Sequence, residues 1–154
     1  MTTTKEKYSL LKKKYSLPDY DILNQEFDIE EINEESELIL QKVRLKIHEK
    51  IDVYANIIEA MLQPESSLGD MYEAHYINDS EKNSAYSVFK TLKQILRYSN
   101  LVSLNNKDEE NAKFIKESFE DWNSAKGDIQ VHIKRLINVW KKETDIKDDL
   151  SYFG

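Results

Sequence analysis

The chain has no cysteine, and only three glycines and two prolines among its 154 residues. Average usage would put roughly 18 glycines and prolines in that length. Chain reversals lean on those residues, so this chain makes few of them. An all-β sandwich, which turns about every ten residues, is excluded. Gly69, Gly127 and Gly154 lie too far apart to form a phosphate-cradling loop. Without cysteine there is no disulfide, thiolate zinc site, iron–sulfur cluster or cysteine nucleophile. No apolar run approaches the roughly 20 residues needed to span a bilayer, and the first residues lead into no apolar leader. The expectation is a soluble, cytoplasmic protein that needs no membrane.

What is present is charge, 33% of residues, with a formal net charge of -7. It is unevenly spread. Residues 1–18 carry Lys5, Lys7, Lys12, Lys13 and Lys14 against Glu6, whereas residues 19–37 carry nine acids and no base. A mostly acidic field repels polyphosphate and argues against nucleic acid as the main partner. Between Lys82 and Lys107 there is no acid. There Lys90, Lys93 and Arg97 step by three and four and share one helical face. They are candidate anion or RNA contacts, beside Tyr72, Tyr76, Tyr86 and Tyr98, whose rings could stack on bases.

The apolar residues recur with helical spacing. Tyr8, Leu11 and Tyr15 mark a first helix, and Thr3 with Glu6 has the form of a capping box. Pro18 suits the first turn of a short helix carrying Leu23 and Phe27. Asn33 is a candidate N-cap for a long helix from about Glu34 to Gln63, striped by Leu40, Val43, Ile47, Ile51, Tyr54, Ile58 and Met61. Pro64 ends it. Over residues 66–79, Met71, Tyr72 and Tyr76 fit either a short helix or a loop across the bundle end. Ala85, Val88, Leu92, Ile95, Ser99 and Val102 predict a helix over about Ser80–Leu104, with Asn78 and Glu81 placed to cap it. A fourth runs over about Asp108–Lys142 on Ala112, Ile115, Phe119, Trp122, Ile129, Ile133, Leu136 and Trp140. Lys126 is the polar intruder in that stripe, and Gly127 is a candidate kink.

These stripes predict an all-α, up-and-down bundle of three long helices plus a shorter N-terminal helical segment. Within a single domain, residues 1–33 read as an N-terminal helical arm and acidic connection, 34–142 as the bundle core, and 143–154 as an acidic-aromatic tail. Long helices in a small chain leave long flanks to cover, so the expected state is a homodimer.

Candidate chemistry is sparse. His48 and Asp52 lie four apart on one helix, and Asp128 and His132 lie four apart on another. Adjacent helices could bring these four together around a divalent metal. The Glu-x-x-His signature of di-iron bundles is absent, and His48-Glu49 lacks the second histidine of a zinc protease. No serine sits in a Gly-x-Ser-x-Gly elbow. Leu150, Tyr152 and Phe153 on the charged tail form a candidate docking peptide. The expected function is a non-catalytic interaction or adaptor module with no cofactor. A metal or small-ligand bundle and an RNA- or nucleotide-binding accessory protein are the alternatives.

Overall fold

The computed structural model describes residues 3–63 and 67–141, and among these there are six α-helices and no strand. α1 spans Thr4–Tyr15, α2 Tyr20–Phe27, α3 Ile39–Leu62, α4 Leu68–His75, α5 Asp79–Asn105 and α6 Asp108–Lys141, with a single 3-10 turn at Ile29–Glu31.

Local chemistry sets most of the helix starts. Thr3 and Glu6 form the expected capping box, as do Asn78 and Glu81. Ser67 caps α4 by accepting from the Asp70 amide. Pro18 stands outside α2, which Asp19 precedes. Its carbonyl accepts the Tyr8 hydroxyl at 2.5 Å, tying α2 back to α1. Asn33 does not cap α3. It accepts from the Glu35 amide two residues on, the ordinary turn use of asparagine, and α3 begins at Ile39 with no side-chain cap. The expected helix is therefore five residues shorter at its start. The scarcity of glycine has a visible counterpart. Three helices end in the left-handed backbone region that glycine usually fills, and here Ser16, Asp28 and Asn106 occupy it. Gly127 produces no break, and α6 runs through it for 34 residues, about 50 Å.

α3, α5 and α6 pack on one another, with α5 antiparallel to the other two. Pairings between Arg44 and Ser99, and between Ser84 and His132, fix the register on either side of α5. The shorter helices cover a single groove of that trio, the one between α3 and α6. α1 and α2 occupy one end of it and α4 the other. The core is correspondingly split. The larger part runs from Tyr8, Leu23, Phe27 and Ile29 through Ile47, Leu92 and Phe114 to Trp122. The smaller lies under α4, where Ile58, Met61, Tyr72, Ile77, Ala85, Leu136 and Val139 meet. Trp122 is buried as expected. Trp140 is instead 41% exposed. It stacks on Tyr72 with ring centroids 4.6 Å apart and donates to Glu73 at 2.9 Å, pinning α4 from outside. Among the described residues no helix is long and apolar enough to cross a membrane.

Candidate interaction surface between α3 and α5

The groove between α3 and α5 is where the uncovered side of the bundle is most varied. α1, α2 and α4 pack chiefly on α3 and α6, so this groove keeps its outer lips. From Leu38 at the N-cap of α3, Gln41, Leu45, His48 and Asp52 follow in steps of three and four and share the lip. On α5, Lys90, Lys93, Arg97, Leu101 and Leu104 do the same. The Arg44–Ser99 register sets the start of α3 beside the end of α5, which gathers the apolar residues at one end. Leu38 is 55% exposed, Leu45 37%, Leu101 65% and Leu104 78%. The opposite flank of α5, towards α6, is polar, with Ser87, Thr91, Asp121, Ser124 and Asp128 around a shallow concavity.

The floor of the α3–α5 groove holds unusual polar groups. Arg44 is 3% exposed and forms no ion pair with a carboxylate among the described residues. Its guanidinium donates to Asn111 Oδ1 at 2.8 Å, to the Ser99 hydroxyl at 3.0 Å and to the Ser99 carbonyl at 3.2 Å. Asn111 donates in turn to Asn106 and to the Lys107 carbonyl. Burial pushes the guanidinium below its ordinary value. One buried side chain thus ties α3 to α5 and to the α5–α6 corner. Nearby, Gln41 Oε1 and His48 Nδ1 are buried without a hydrogen-bond partner among the described residues. Burial, with the charges of Arg44 and Arg97, holds the His48 imidazole below its usual range, while Asp52 and Glu49 pull the other way.

The sequence-derived candidates fall out as follows. The basic stripe exists on α5, with Lys90 and Arg97 exposed, but two of its members already have local contacts. Lys93 Nζ lies 5.7 Å over the Phe89 ring, and Arg97 donates to Asn100 at 3.0 Å. The proposed four-residue metal set does not assemble. His48 and Asp52 face the α3–α5 groove, whereas Asp128 and His132 lie on the α6 flank of α5, so α5 itself separates the pairs. His132 is buried, with Nε2 3.3 Å from the Ser84 hydroxyl. Among the described residues no group of three or more histidine, aspartate or glutamate side chains is placed to hold a metal. Leu150, Tyr152 and Phe153 lie outside the described residues. Sequence reasoning missed Arg44, because a lone arginine at helical spacing resembles a solvated one. The signal available was its place between Val43 and Ile47 on the apolar stripe.

No protein-family model, curated protein or solved structure matches this chain.

Proposed function

We propose that the protein is a non-catalytic interaction module that self-associates as a homodimer through the α3–α5 groove. The observation supporting this reading is that Leu38, Leu45, Leu101 and Leu104 are each exposed, and the Arg44–Ser99 register brings their stretches of α3 and α5 to the same end of that groove. Isolated apolar residues on a surface are ordinary, whereas a group rimmed by charge marks a contact. Charge complementarity favours a second copy as the occupant. Glu34, Glu35 and Glu37 stand just before the apolar end and make no ion pair among the described residues. Arg97, Lys93 and Lys90 run away from the same end along α5. Two copies related by a two-fold axis through the leucines would set the acids of each against the bases of the other. The leucines would leave water at the centre, and the charges would fix orientation at the rim.

Light scattering on the full chain tests this directly. Twice the chain's mass is expected for the unaltered protein, the single-chain mass for L101E/L104E, and a loosened dimer for R97E that E34R/E35R restores. A wild-type protein that stays at single-chain mass up to about 1 mM would refute the reading, since that corresponds to only about 4 kcal/mol of association. So would RNA binding that needs Lys90 and Arg97 in a protein that remains single-chain.

A further inference from the structure

The α1–α2 pair and α4 leave a gap between them on the α3–α6 groove. A concavity of about 270 Å³ lies in that gap, floored by Tyr54, Trp122, Ile129 and Ile133 and rimmed by Lys50, Lys126 and Lys134. We propose that it binds a small ligand made of an aromatic or branched apolar body and one carboxylate. This inference is independent of the α3–α5 reading, because it rests on the other side of the bundle.

The floor is built for an apolar body. Trp122 and Ile129 are buried beneath it, and the half-buried Tyr54 and Ile133 side chains present the apolar contact, the Tyr54 ring standing 5.6 Å from the Trp122 ring and tilted. The volume is below that of drug-sized pockets, which limits the ligand to about one or two rings.

The rim is built for an anion. In an acidic chain, three ammonium groups surround this concavity. Glu26, the carboxylate beside them, is already engaged. It accepts Lys126 at 2.6 Å and the Trp122 indole at 2.8 Å. Lys50 donates to the Glu26 carbonyl and sits 5.5 Å over the Trp122 ring, which holds its charge at the mouth. Lys134 is exposed and forms no ion pair among the described residues. Lys126, the polar residue that interrupts the apolar stripe of α6, is thereby explained: it stands at the edge of the α2 cover, where Glu26 accepts from it.

The test is a titration of the full chain with 2-naphthoate, followed by the indole N–H signals in a nitrogen-15 NMR spectrum. 2-Naphthylmethanol, the same body without the charge, is the control. The Trp122 signal should shift saturably with naphthoate while the Trp140 signal stays fixed. Lys134→Glu, at an exposed position, should leave the rest of the spectrum unchanged and weaken binding about fivefold. The alcohol should bind more weakly still. A shift that fails to saturate below about 5 mM, a control that binds as tightly as the acid, or equal movement of both indoles would overturn the proposal.

Discussion

At the scale of single residues, Arg44 concentrates more structure than any other side chain. Its stem packs in the interior and its head reaches two other elements through neutral acceptors. A buried cation without an anion is costly, and here three hydrogen bonds offset that cost. Arg44→Ala is expected to lower stability by about 2–4 kcal/mol, through a cavity and unpaired groups on Asn111 and Ser99. Arg44→Lys should cost about 1–2 kcal/mol, because an ammonium cannot fork between α5 and α6. Urea unfolding midpoints at unchanged slope measure both. His48 gives a pH dependence. Its folded value lies below the ordinary 6.5, so the unfolded chain binds more protons across that interval. Stability is therefore full above about pH 6.5 and declines as pH falls from there towards the lower folded value. His48→Gln should flatten that part of the pH–stability profile. None of this was legible in the sequence beyond spacing. Periodicity marks which face of a helix a residue takes, but not whether an arginine there meets water, an acid or an asparagine.

Secondary elements were the most legible level, and the reasons are local. Side chains at Thr3, Glu6, Asn78 and Glu81 cap their own backbone, so three or four residues carry the whole signal. Where the outcome depends on distant contacts, the sequence said less. The start of α3 at Ile39 is set by the turn that Asn33 and Ser36 make and by Lys7 reaching the Glu34 carbonyl. α4 takes its helical form over the smaller core, where Tyr72 is wholly buried. The left-handed helix ends offer a prediction at this scale. Ser16, with φ of 55°, lacks the freedom of glycine, so Ser16→Gly should stabilise the fold by about 0.5–1 kcal/mol. Gly127 is the converse case. It is exposed within α6, and an added Cβ meets nothing within 4 Å, so Gly127→Ala should add about 1 kcal/mol. In a chain of this size each change should raise the midpoint of thermal unfolding by about 2–4 °C.

For the whole molecule, the decisive arrangement is that α1, α2 and α4 all settle on the α3–α6 groove. Helical stripes announced a bundle, and the acid-free interval from Lys82 to Lys107 announced a distinct face. Neither could say that α5 would keep its outer flank, or that His48 and His132 would end on opposite sides of it. That placement follows from chain connectivity and from the second core under α4. The two coverings also rest chiefly on the central helices. Each seals its own share of oily interior, so one can lift while the other remains seated. Amide hydrogen exchange under native conditions should then resolve two partial openings, one exposing the amides around Tyr72 and the other those around Leu23. Trp122, seated against Phe27 of α2, and Trp140, seated against Tyr72 of α4, would each signal the breathing of its own end.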